Sequence, residues 1–223
     1  FLRAEFCKDC HHFPPDGFAL NGKLLENTYA EWKSSPFARA GVQCQDCHMP
    51  DRRHLWRGIH DAEMVRSGVS VAFSTDRASY AVGDTLEATL TVINSKVGHS
   101  FPTYVTPRVV VSGELIDRSG RVVAGSRQEQ IIGREVTLDL TRELFDTRLA
   151  PGESAAFRYR QRLPVAGLTL RVAVSVYPDH FYVGFFEALL AGGAGKGTAR
   201  VREALRAARS SSFTLYVNEM PLT

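Results

Sequence analysis

The sequence predicts an α+β chain in two parts: a small helical and irregular segment over 1–67, then an all-β immunoglobulin-like sandwich over 68–223 with two helices inserted near 180–209. Three observations carry that division. All four cysteines and five of the seven histidines fall within the first sixty residues. Apolar residues there follow no sustained period, whereas from Val69 onward they alternate with polar ones, as half-buried strands require. Turn residues then punctuate seven or so short strands at regular intervals, the rhythm of a sandwich.

The N-terminal segment is organised by Cys7-Lys8-Asp9-Cys10-His11 and Cys44-Gln45-Asp46-Cys47-His48. Each spells C-x-x-C-H, the pattern for covalent haem attachment. Two thiols three positions apart on a tight turn reach two vinyl carbons of one porphyrin, and the next residue offers an imidazole to its iron. Cys7, Cys10, Cys44 and Cys47 are therefore the expected attachment residues, His11 and His48 the expected proximal ligands, and two covalently bound haem c groups the expected cofactors. A structural zinc site competes poorly: thirty-three residues separate Cys10 from Cys44, against roughly fifteen to twenty in a zinc ribbon, and both histidines would be surplus. Disulfides within C-x-x-C are usually redox-active and sit in a βαβ context that is missing here.

Taken in order, Phe13-Pro14-Pro15-Asp16-Gly17 closes the first motif with a turn. Asn27-Thr28 opens a short helix bearing Tyr29, Trp32 and Lys33, which Ser35-Pro36 stops; its aromatics are expected to cover a haem face. Beyond His48 come His54 and His60. Six residues reach at most about 20 Å, barely enough to round a porphyrin, so His54 is expected to serve the other haem and His60 to serve either. His12, beside a proximal ligand but pointing elsewhere, is a weaker candidate. Met49 adjoins its own proximal histidine and cannot swing to the far face.

Strands are expected at Val69 to Phe73, around Tyr80 and Val82, and over Leu86 to Val92, Arg108 to Ile116, Val122 to Gly125, Gln130 to Ile132, Ala155 to Arg162 and Leu168 to Val176. Turns fall at Asp117-Arg118-Ser119-Gly120 and Pro151-Gly152-Glu153. Two places break the alternation. In Val97-Gly98-His99-Ser100-Phe101-Pro102-Thr103 glycine and proline set the backbone, and His99 is a candidate distal ligand that would bind the two parts together. If it serves the second haem, His54 or His60 is left for the first or for a haem outside this chain. In Tyr177-Pro178-Asp179-His180-Phe181-Tyr182 a strand passes into a helix with Phe181, Phe185 and Leu189 on one face, and His180, a weaker ligand candidate, reads as a capping or packing residue. A second helix from Thr198 carries Val201 and Leu205 inward and Arg200, Arg202, Arg206 and Arg209 outward. Phe213 to Val217 forms a last strand.

Composition excludes several classes. The formal charge of +3 would be offset by the four propionates of two haems, so the basic balance gives no argument for nucleic acid. No run of eighteen apolar residues spans a membrane. Covalent haem attachment takes place after export, so a periplasmic or otherwise extracytoplasmic location is expected, extracellular or membrane-associated through a partner included. The opening Phe1-Leu2-Arg3-Ala4-Glu5-Phe6 reads as the apolar side of an interrupted domain, which leads us to expect further sequence upstream.

The runs Glu5 to Phe13, Glu26 to Trp32 and Cys44 to Pro50, with His54 soon after, resemble multihaem c-type cytochromes. Cys47-His48-Met49-Pro50 followed by a nearby histidine looks like a motif of pentahaem nitrite reductases and their tetrahaem-like electron-carrying relatives, and the resemblance implies that His54 is a distal ligand to a neighbouring haem. Gly98 to Thr103 and Tyr177 to Tyr182 look like segments of multihaem cytochromes that end in a β-sandwich. Such relatives usually carry four or more haems, and the two motifs here imply other haem-bearing sequence upstream or in a partner subunit. The expected function is electron transfer within a longer wire, alongside redox partner proteins. One rival is a haem-dependent reductase of nitrite, hydroxylamine or sulfur oxyanions, drawing on Arg52, Arg53, Arg57 and Tyr29. The other is a docking module in a cytochrome assembly. Without an independent catalytic constellation, the reading favours a carrier over an enzyme.

Overall fold

The computed structural model describes residues 2–55 and 57–222; Phe1, Trp56 and Thr223 lie outside the described residues, and with Phe1 the expectation drawn from the opening run. Helix α1 (Ala4–His11) carries the first motif, with Glu5 in its first turn and Lys8 in its last, charges that match the helix dipole. The motif expected on a tight turn is thus helical, which sets Cys7, Cys10 and His11 at i, i+3 and i+4 on one face. A two-residue hairpin, β1 (Ala19–Leu20) and β2 (Lys23–Leu24), follows where a plain loop was expected. Next come α2 (Thr28–Ser34) and α3 (Pro36–Arg39), the latter opened by Pro36 at its start and by Ser35, whose hydroxyl accepts from Ala38 N. The second motif forms α4 (Cys44–His48), begun by a capping box between Gln43 and Asp46. Gln43 Oε1 also accepts from Ala4 N at 2.9 Å, tying the start of one motif helix to the other. Helix α5 (Ala62–Gly68), capped by Asp61, leads into the strands.

These are β3 (Val69–Thr75), β4 (Thr85–Asn94), β5 (Arg108–Ile116), β6 (Gln128–Val136), β7 (Glu143–Asp146), β8 (Ser154–Arg162) and β9 (Thr169–Tyr177). Then come α6 (His180–Ala191), a short 3-10 turn, α7 (Thr198–Ser210) and β10 (Phe213–Pro221). One antiparallel sheet runs β3-β4-β8 and a second runs β10-β9-β5-β6-β7. Their inner faces share one core: Leu86, Leu90, Val92 and Phe157 from the first meet Val109, Leu115, Val172 and Val174 from the second. Tyr159 enters this core because Gly113 has no side chain; a Cβ there would sit 2.6 Å from the Tyr159 ring, whose hydroxyl donates to Ser126 O at 2.9 Å.

Two strand expectations are corrected. Val122 to Gly125 makes a single bridge to Ile116 and then turns, because Ser126 spends its hydroxyl on Val123 O and accepts from Leu115 N. Tyr80 and Val82 lie in a turn, where Tyr80 Oη donates to Asp76 instead of extending a ladder. Strand β7, which follows a polar loop and is only four residues long, was not expected.

The hairpin is fixed to the larger sheet by Arg134, only 2% exposed, whose guanidinium pairs with Glu143 at 2.8 Å and donates to the carbonyls of Leu24, Leu20 and Lys23. Lys23 in turn reaches Asp146 at 2.7 Å.

Candidate functional site

Helices α1 and α4, the α2 aromatics and the 97–107 stretch enclose a cleft of about 1100 Å³ lined by Cys7, Cys44, Cys47, His11, His48 and His99. That exceeds the roughly 300–1,000 Å³ of an ordinary small-ligand pocket. Tyr29 and Trp32 stand on its wall with ring centroids 5.5 Å apart, and Trp32 Nε1 donates to Val42 O at 2.9 Å. The Cys44 thiol is pushed up to about 12 by burial and by the Cys7 thiol hydrogen-bonded to it. The two motifs therefore meet at their first cysteines. Cys10 and Cys47 are exposed.

Histidines from distant parts of the chain face each other in two pairs. His48 and His99 have ring centroids 6.1 Å apart and planes 14° apart; His11 and His54 stand 6.5 Å apart with planes at 46°. Two metal–nitrogen bonds of about 2 Å, with about 1 Å from each ring centre to its nitrogen, total about 6 Å. Each pair thus has about the separation that two imidazoles would have if they shared one metal ion. His48 Nδ1 donates to Arg57 O at 2.5 Å and His99 Nδ1 to Ser100 O at 2.9 Å. A carbonyl only accepts, so both rings carry their proton on Nδ1 and keep the Nε2 lone pair for a metal. Burial holds His48 and His99 below the ordinary histidine value, and burial together with His54 does the same for His11, favouring the neutral form that ligation needs. Tyr104 Oη lies 3.5 Å from His11 Nδ1.

The His99 loop is fastened from both sides. Asn94, buried, donates from Nδ2 to His99 O at 2.8 Å and to Leu149 O at 2.9 Å, and its Oδ1 accepts from Val97 N. From α2, Glu31 Oε2 accepts from Ser100 N at 2.9 Å, while its other oxygen lies 3.4 Å from Arg148 Nη1. Thr28 and Thr103 join hydroxyls at 2.7 Å. Glu31, Asn94, Tyr104 and Arg148 were not singled out from sequence; they act across up to 117 positions and match no motif.

The other sequence candidates belong to neither pair, although His60 lines the same cleft. His60 Nε2 lies 3.0 Å from Asp179 Oδ2, and His180 Nε2 lies 3.6 Å from Glu135. His12 packs edge-on to Tyr29, with its Nδ1 buried and without a hydrogen-bond partner. Of the groups considered for a reductase, Arg57 is held by Asp61 and Glu63, Arg53 by Asp51, and Tyr29 donates to Glu5. Among the described residues no three histidine, cysteine or carboxylate side chains converge on a bare metal site, and no helix is long and apolar enough to cross a membrane.

No protein-family model matches the chain, and no curated protein matches its sequence. Among solved structures it is similar to a penta-haem cytochrome c552 from Thermochromatium tepidum, with a TM-score of 0.64 and 19% identity. The match covers 99% of this chain and 56% of that one, so the chain spans just over half the cytochrome's length. An alkylpurine DNA glycosylase from Pseudomonas fluorescens (TM-score 0.30, 10% identity, 87% and 49% of the two chains) and a sporulation control protein from Bacillus subtilis (0.22, 15%, 49% and 43%) are too distant to carry an argument. The fold over this chain's length is therefore similar to that of the penta-haem cytochrome c552, in an α+β arrangement.

Proposed function

We propose that the chain is an electron-transfer protein holding two covalently attached haem c groups, one through Cys7 and Cys10 with His11 and His54 as axial ligands, the other through Cys44 and Cys47 with His48 and His99. The observation that carries this is the His48–His99 pair, spaced for one iron at 6.1 Å, each ring turned by a carbonyl so that its lone pair is available. The haems supply a one-electron couple; the protein supplies attachment, neutral imidazoles in a set tautomer and an apolar wall that excludes water. Two nitrogen ligands favour a low potential. Both motifs line one cleft, which supports exchange between the two groups.

We read residues 1–67 as the haem-bearing domain and 68–223 as an immunoglobulin-like sandwich. Taking β3, β4 and β5 as strands A, B and C, the orders β3-β4-β8 and β10-β9-β5-β6-β7 correspond to A-B-E and G-F-C-C′ with one further edge strand, which supports the second assignment. Covalent attachment supports an extracytoplasmic location, and two haems in a wire-like role support redox partners that carry haems of their own. A carrier is favoured over a reductase of nitrite, hydroxylamine or sulfur oxyanions because three of the four groups considered for that chemistry, Arg53, Arg57 and Tyr29, are paired with carboxylates, which leaves Arg52 as the remaining candidate. Docking to a cytochrome assembly is compatible with the carrier role. The test is a redox titration of the haem-loaded chain with nitrite, hydroxylamine and sulfite assays: two electrons per chain and no turnover are expected, whereas sustained turnover would replace the carrier by the reductase.

A further inference from the structure

We propose that Glu31, besides positioning the His99 loop, sets a reduction potential: its carboxylate places a negative charge beside the distal ligand and lowers the midpoint of the iron between His48 and His99. This rests on the bis-histidine reading above and adds to it a residue that decides how readily that haem takes its electron.

The carboxylate is held one residue away from His99. Glu31 Oε2 accepts from Ser100 N at 2.9 Å and lies 3.5 Å from Thr103 Oγ1, both in the stretch that carries the ligand. The Glu31 side chain is only 13% exposed, and a group seated in the neighbouring cleft can only cover it further, so water screens its charge poorly.

Its counter-cation is shared. Arg148 Nη1 stands 3.4 Å from Glu31 Oε1 but reaches Asp146 at 2.8 and 2.9 Å. Asp146 in turn meets Lys23 at 2.7 Å, Lys23 meets Glu143 at 2.8 Å, and Glu143 meets Arg134 at 2.8 Å. Six charges, three acidic and three basic, thus alternate from the His99 loop to the β1–β2 hairpin. The row is neutral as a whole, yet its loop end is an anion and its hairpin end a cation. Charge interactions weaken with distance, so the anion at the near end dominates at His99. A ferric haem carries one more positive charge than a ferrous one. A carboxylate beside its ligand therefore favours the oxidised form and draws the midpoint down. Reduction adds one electron, supplied in the test below by a chemical reductant, and breaks no bond.

The test is a redox titration of the haem-loaded wild type and Glu31→Gln, read from the low-spin ferric resonance of the haem with near-parallel imidazoles. Glutamine keeps an oxygen acceptor for Ser100 and removes the charge, so a merely structural role leaves the midpoint where it was. The expected result is a resonance of unchanged shape and an equilibrium shifted about tenfold toward the reduced state, an upward move of about 59 mV for one electron. The haem between His11 and His54 should move less. Arg148→Gln, which strips the partner cation from Glu31, is expected to shift the same midpoint downward. An unchanged or lowered midpoint in Glu31→Gln, with the resonance intact, would overturn the proposal and leave the bis-histidine reading standing. A wild type without the near-parallel low-spin signal would overturn both. Where Glu31→Gln loses that resonance altogether, Arg148→Gln decides, an unchanged or raised midpoint overturning the proposal.

Discussion

Replacing Glu31 by alanine probes how α2 positions His99. The Glu31 side chain is only 13% exposed and accepts from Ser100 N at 2.9 Å, a charge-assisted bond worth about 1.5–3 kcal/mol whose loss strands a partly buried N–H. Its ion pair with Arg148 adds less to the loss, because Arg148 keeps Asp146 at 2.8 and 2.9 Å and Thr103 O at 2.8 Å. The net cost is then about 2–3 kcal/mol, and at about 2–4 °C per kcal/mol for a chain of this size Tm falls by about 4–12 °C. Glu31→Gln keeps an acceptor for Ser100 and costs about 1 kcal/mol. Thermal unfolding followed by haem absorption measures the stability, and the resonance of the near-parallel haem measures the positioning. A Glu31→Ala protein with unchanged Tm and an unchanged signal would refute the idea that this carboxylate secures the loop.

Arg134→Ala is expected to cost about 3–5 kcal/mol, since it removes one partner of a buried ion pair and leaves three hairpin carbonyls without their donor; a shifted denaturant midpoint at constant slope checks it. Burial alone would raise the Asp146 carboxyl, but hydrogen bonds from Arg148 and Lys23 outweigh it and hold the group well below the ordinary value of 3.8. A depressed carboxylate adds stability that is present above 3.8 and lost as pH falls below it. An acid titration of Asp146→Asn should therefore lose less stability below that point than the wild type, although it starts less stable at neutral pH.

What sequence made legible followed from local chemistry. Strand β5 occupies the expected Arg108–Ile116, and the turn at Gly152 has a φ of 84°, as its glycine implied. Attachment motifs are short contiguous patterns, so they were visible. His54 and His99 were named as candidates, and the structure sets them opposite His11 and His48; the short reach from His48 already pointed His54 away from its own motif, whereas the approach of His99 depends on how the 97–107 stretch folds over α2, which no local pattern encodes. Glu31 looked like an ordinary surface acid of a short helix, although its partner Ser100 lies 69 positions away. Likewise Arg134, between Gly133 and Glu135 and beyond the end of the expected strand, carried no sign of burial. It is buried because a two-residue hairpin, too short to show a period, covers it.

The central claim is that two irons are each held by one specific histidine pair. Electron paramagnetic resonance of the ferric, haem-loaded wild type beside His54→Ala and His99→Ala tests it most directly. The wild type should show two low-spin signals of different shape, reflecting imidazole planes at 14° and 46°, and each variant should lose only its own signal and gain a high-spin one. Two unchanged low-spin signals in either variant would contradict it.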